Sequence, residues 1–248
     1  MRYRLLALLL PCLVSLGCAA SGGGGASWDG EVQVHGALRA MFHQGETGKK
    51  VGMDALLPNP DLYALGALVD LSGEITVIGG KAYLSYPDGD NARNEAPSHT
   101  DAGATLLVSA KVPSWSSHVT GKPIRFAELD REIGKLAAAA GMNLDRRFPF
   151  LMTGFFDDLQ WHVIDGTRLK SGGTSHRDHL AAAVKLRSPR TRATLIGFYS
   201  KRDEGVFTHM GSATHVHCLI DEPLSTGHVD HVTIPAGTTV QFPARPTR

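Results

Sequence analysis

The sequence predicts an α+β fold that is mostly β, with mixed or antiparallel sheets and few helices. Three observations carry that prediction. Residues 74–78 and 81–86 are β-prone runs flanking Gly79-Gly80, and a Gly-Gly pair supplies the positive φ angles that a two-residue hairpin turn requires. Further β-branched and aromatic runs recur at residues 105–112, 148–156, 159–164, 193–200, 214–220 and 238–242. Only one segment has a strong helical period: over residues 125–140, Phe126, Leu129, Ile133, Leu136 and Ala140 form an i, i+3, i+4 stripe. Pro123 sits near its start and Gly141 just past its end.

The remaining elements follow in order. Residues 31–36 alternate as a first strand, and residues 37–42 turn helical before the polar loop 44–50. Residues 53–57 make a short helical piece that Pro58 and Pro60 stop. An apolar run over residues 62–71 leads through Ser72-Gly73 into the hairpin, and residues 87–103 read as a polar loop. Residues 170–175 read as a second loop. An acidic turn containing Pro223 and Gly227 separates the strand at residues 214–220 from another that starts at His228, and a short basic tail ends the chain. There is no repeat at solenoid or propeller periods.

The 248 residues carry a formal net charge of +1, which leaves no basic surface for nucleic acid. Arg2 and Arg4 precede an apolar stretch over residues 5–16 that is too short to span a membrane. Residues 1–18 therefore read as a signal, 19–27 as a flexible Gly-rich tether and 28–248 as the folded domain. Leu16-Gly17-Cys18-Ala19 resembles a lipobox, with Ser15 where that pattern prefers Leu. Lipidation at Cys18 would anchor the protein to the cell envelope, and ordinary cleavage would release it to the periplasm. Cys218 is the one cysteine beyond the signal, which leaves it no disulfide partner within the chain and makes it a small buried hydrophobe.

The chemistry gathers at Thr214-His215-Val216-His217-Cys218 and at His228. Side chains alternate along a strand, so His215 and His217 share a face and Val216 and Cys218 take the other. If the His228 strand pairs alongside, three imidazoles meet, with a fourth position open for a catalytic ion. Zinc (Zn2+) suits such a set, and copper, nickel and iron stay open. His209 lies in a loop able to fold back over the site, His231 faces away, and His176 and His179 read as solvated loop residues.

Residues 194–199, His215-Val216-His217 and Gly227-His228-Val229 resemble the C-terminal signature of bacterial alpha-acetolactate decarboxylases. Leu65-Gly66-Ala67, the stretch from Asp70 to Glu74, and residues 152–156 resemble two further blocks of that family. The resemblance implies zinc ligation by His215, His217 and His228, with Glu74 handling protons. It implies decarboxylation of 2-acetolactate, or a related 2-hydroxy-3-oxo acid, to acetoin through a metal-stabilised enediolate, and it suggests a homodimer. The sequence also departs from the family. His162 stands where the family has a carboxylate-binding arginine, which makes Arg168 a candidate substitute. Ala67 replaces a threonine, residues 207–213 form a longer insertion, and the chain stops at Arg248 where the family continues to a second glutamate. The alternative is an exported metal-binding offshoot with lost or altered catalysis.

Overall fold

The β-prone runs of the sequence form two seven-stranded sheets among the described residues. The computed structural model describes residues 27–97, 100–169 and 175–244. The expected signal, nearly all of the tether, most of the 170–175 loop and the basic tail lie outside the described residues.

The first sheet comprises β1 (Gln33–His35), β2 (Val51–Gly52), β3 (Leu62–Leu68), β4 (Glu74–Ile78), β5 (Lys81–Asp88), β6 (Asn91–Glu95) and β7 (Gly103–Lys111). Its order is β1-β7-β3-β4-β5-β6, with β2 also on β7. The second comprises β8 (Trp115–Val119), β9 (Ile124–Arg125), β10 (Phe148–Val163), β11 (Val184–Tyr199), β12 (Thr214–Asp221), β13 (Leu224–Ile234) and β14 (Thr239–Pro243), ordered β8-β14-β10-β11-β12-β13-β9. The ladders are antiparallel, and β13 pairs with β10 as well, so β10, β11, β12 and β13 close on themselves. The helices are α1 (Leu38–Gln44), α2 (Leu129–Ala139) and α3 (His176–Ala182). Among the described residues, no helix is long and apolar enough to cross a membrane.

The Gly79-Gly80 hairpin forms as expected, with φ of 57° and 73° at the two glycines. The expected polar loop 87–103 contains β6, because β5 runs on and its polar arm finds a partner on the sheet edge. The two strands expected at 148–156 and 159–164 are one long strand, interrupted by a bulge where Asp158 takes φ 50°. Gly227, expected in a turn, is a strand residue: the turn between β12 and β13 is Glu222-Pro223 alone. Residues 176–179, expected as a loop, begin α3. Ser175 caps its N-terminus and Asp178 reciprocates, a capping box that satisfies two backbone donors.

The apolar stripe of α2 covers a core built from Phe148, Phe150, Phe156, Val216, Cys218 and neighbouring side chains of the second sheet. A second cluster joins the sheets, with Leu65 and Val108 of the first meeting Leu151, Ile196 and Phe198 of the second. Burying side chains of this size contributes about 1.5–3 kcal/mol each. This contact presses β4 against β12 and β13, and so sets one sheet's polar residues against the other's histidines.

Candidate metal centre

On β12, the alternation puts Val216 and Cys218 into the core and turns His215 and His217 toward the first sheet. Pairing with β13 sets His217 opposite His228, and pairing with β10 sets His228 opposite His162. Gly227 makes this closure possible. A Cβ there would lie 2.4 Å from the His162 carbonyl oxygen and 2.9 Å from Trp161 Cδ1. The histidines expected to form a triad do converge: one donor atom from each of His215, His217 and His228 lies within 4.8 Å of the others.

Hydrogen bonds fix which nitrogens face inward. His215 donates Nδ1–H to the Phe207 carbonyl at 2.7 Å, so its Nε2 carries the lone pair. His217 Nδ1 lies 3.1 Å from the Thr76 hydroxyl, which lies 2.7 Å from the Thr226 hydroxyl, which in turn reaches the Cys218 carbonyl at 2.7 Å. One assignment gives every hydroxyl one proton: His217 donates to Thr76, Thr76 to Thr226, and Thr226 to the carbonyl. His217 Nε2 then carries a lone pair, is fully buried and has no partner. An orphaned buried nitrogen is costly unless something binds it. His228 turns Nδ1 to within 2.9 Å of His215 Nε2. Burial holds all three imidazoles below the ordinary histidine value, His215 at about 4, and neighbouring histidines add to the lowering of His217 and His228. Neutral imidazole nitrogens, with hydrogen-bond partners behind those of His215 and His217, are what a zinc-type ion requires, so the residues fit one.

The Phe207 carbonyl is itself held. Asp203 takes Arg147 Nε at 2.8 Å, Arg147 Nη2 at 2.7 Å and the Ser200 hydroxyl at 2.6 Å. Its own carbonyl accepts the N–H groups of Val206, Phe207 and Thr208. The same loop caps α1, whose Ala37 has no capping oxygen: Leu38 and Arg39 donate to the Val206 and Gly205 carbonyls at 2.8 Å.

Glu74 arrives from the first sheet. Its Oε1 accepts the Ile164 N–H at 3.1 Å and its Oε2 lies 3.7 Å from His217 Nε2. Burial pushes its carboxyl up to about 8, against the His162 charge and the Ile164 hydrogen bond. His162 donates Nδ1–H to both carboxylate oxygens of Asp230, at 2.8 and 2.9 Å. Burial alone would lower His162, and the Asp230 carboxylate outweighs it and holds the imidazole above its usual value. These groups line a cleft of about 410 Å³ of free space, partly shared with solvent and walled by Leu38, Met41 and Phe42 of α1, Leu106 of β7, Ile164 and Leu180.

Other expectations resolve differently. Arg168 does not reach the cleft: its guanidinium binds Asp165 at 3.1 Å, the Gly89 carbonyl and Asp90, which ties it to the β5–β6 hairpin tip. The 207–213 insertion does fold over the site, with the His209 ring 5.1 Å from that of His228. His231 turns away toward Asp158. His179, expected in solvent, is buried in the cleft wall, its ring 4.4 Å from Phe42 and its Nδ1–H on the Ser175 carbonyl. The Ser175…Asp178 spacing was the available signal for that. Asp230 was missed too, although its spacing of two from His228 was visible.

Residues 35–245 match the family model for alpha-acetolactate decarboxylase. None of the curated proteins compared with the chain matches. The solved structure of alpha-acetolactate decarboxylase from Bacillus subtilis strain 168 superposes with a TM-score of 0.68 at 15% identity, over 86% of each chain. The enzyme from Bacillus subtilis subspecies spizizenii gives 0.68 at 16%, over 86% of this chain and 85% of that one. A Staphylococcus aureus protein of unknown function, similar to alpha-acetolactate decarboxylase, gives 0.65 at 16%, over 85% and 84%. At these identities the structural likeness is one of fold.

Proposed function

Because the chain belongs to the alpha-acetolactate decarboxylase family, we propose that it removes carbon dioxide from 2-acetolactate, or a related 2-hydroxy-3-oxo acid, and releases acetoin. The observation that carries this reading is the convergence of three neutral imidazoles on an orphaned His217 Nε2, with the Glu74 carboxyl beside it. A zinc-type ion held by His215, His217 and His228 would supply a Lewis acid for the oxygen that gains charge as the carbon–carbon bond breaks.

The chain's own residues account for the rest. Glu74, whose carboxyl burial raises, is the group that would give a proton to the carbon that carbon dioxide leaves, and its Oε2 lies 3.7 Å from His217 Nε2. The Ile164 N–H holds Oε1, so the carboxyl cannot swing away. His162, clamped by Asp230, offers positive charge to the substrate's carboxylate. Leu38, Met41, Phe42 and Leu106 keep the reacting atoms from bulk water, which strengthens these charge interactions. The proposed setting is outside the cytoplasm, on the strength of Arg2, Arg4, the apolar stretch at 5–16 and Cys18.

A second reading has its own support. Among the described residues no arginine lines the cleft, and Arg168 is bound elsewhere. An offshoot that keeps the metal and acts on a different chelating ligand fits that wall. Acetolactate supplied to chelator-stripped and to zinc-reloaded protein separates the two. The first reading expects acetoin well above the spontaneous rate only after reloading, and its loss in Glu74→Gln. Zinc-bound protein with no product would leave the second.

A further inference from the structure

A row of paired residues runs across the second sheet. Lys185 on β11 is opposite His162 on β10, His162 is opposite His228 on β13, and His228 is opposite His217 on β12. Directly paired residues in an antiparallel ladder share a face, so this row leads from the metal site outward to an ammonium group. Lys185 also lines an open recess, of about 1020 Å³ of free space partly shared with solvent, with Gln160, His209, Thr214, His228 and Asp230. The recess adjoins the cleft, sharing Leu180, His209 and His228 with it. The Lys185 charge acts to lower the His162 imidazole, against the larger raising effect of Asp230.

Two other cations on β11 are occupied. Arg187 is paired with Asp158 at 2.7 Å and Arg190 with Asp157 at 2.6 Å. Among the described residues Lys185 has no carboxylate partner, and Asp230, the carboxylate in its recess, has both oxygens on His162. Resting on the decarboxylase reading of the site, we propose that Lys185 is a substrate-binding residue: together with His162 it forms a carboxylate subsite on the outer side of the metal centre, and it thereby selects α-oxygenated carboxylic acids that enter through the recess. In this role the lysine supplies the positive charge that Arg168 does not bring to the site.

The test compares wild type, Lys185→Ala, Lys185→Arg and Lys185→Glu, each zinc-loaded and checked for metal stoichiometry. With acetolactate, Lys185→Ala should raise KM about five- to tenfold with kcat little changed, as expected for one partly exposed charge-assisted contact. Lys185→Arg should restore most of that loss and Lys185→Glu deepen it, with metal content equal throughout. An unchanged KM in Lys185→Ala overturns the proposal, as does a fall in kcat accompanied by lost metal, which would make the lysine structural. Oxalate, a chelating dicarboxylate, is titrated calorimetrically into the same proteins as a readout independent of turnover. If wild type makes no acetoin, the decarboxylase reading falls, yet weaker oxalate binding by Lys185→Ala still supports the subsite. Equal affinity in both, or no oxalate binding by wild type, overturns it.

Discussion

His217 and Cys218 are neighbours on β12, and each is 0% exposed, yet they sit in opposite environments. Cys218 faces Phe148, Val216 and the rest of an apolar core, where burial pushes its thiol far up and leaves it inert. His217 faces a relay of threonine hydroxyls on one side and leaves an unpartnered nitrogen on the other. Equal burial therefore says nothing about role. What separates the two faces is that His217 presents a nitrogen able to bind an ion, and the face that carries it is the one aimed at Glu74 and the cleft.

The comparison breaks most visibly if the two faces are swapped in importance. His217→Ala should abolish stoichiometric metal binding while leaving the fold intact, because it removes an orphaned nitrogen. Val216→Ala on the other face should cost about 2 kcal/mol in denaturant unfolding and keep its metal. If His217→Ala unfolds the protein and Val216→Ala strips the metal, the assignment of faces is wrong. Next in size, Thr76→Val keeps the shape near His217 Nδ1 and removes its acceptor, so zinc affinity measured by competition should fall about tenfold. An unchanged affinity would detach the threonine relay from the site.

A smaller effect lies in pH. Burial raises the Asp203 carboxyl, and the Arg147 and Ser200 hydrogen bonds overcome that and hold it below its ordinary value. A depressed carboxyl stabilises the fold above its unfolded value, and the contribution is lost as pH falls through the lower folded value. Wild type should therefore lose stability below about pH 4, the ordinary Asp value. Asp203→Asn should be less stable at neutral pH and show a flatter acid slope in urea melts. Equal slopes would show that Asp203 does not anchor the loop that holds His215.

The parts written in local pattern were legible. The Gly79-Gly80 hairpin, the shared face of His215 and His217, and the opposite face of Cys218 all follow from period two and turn chemistry. Edge strands were not legible. β6 (Asn91–Glu95) and β8 (Trp115–Val119) are largely polar and solvated, so no apolar alternation marks them. The first half of β11 is charged and broken by Pro189, and β10 carries it through its ladder. The site's outer parts were hidden for a similar reason. His162 meets Asp230 across a pairing between distant strands, His215 is held by a backbone carbonyl, and neither contact leaves a spacing to read. Arg168 was drawn in by nearness in sequence, whereas the 3-10 turn at Gly166–Arg168 aims it at Asp165 and the Gly89 carbonyl.

X-ray absorption on zinc-reloaded wild type reads the ligand set itself. One ion per chain is expected, with three imidazole nitrogens at about 2.0–2.1 Å and an oxygen from water or substrate completing the shell, and one fewer imidazole per site for any zinc that His217→Ala retains. No bound ion, or a ligand set without imidazole, would contradict that expectation.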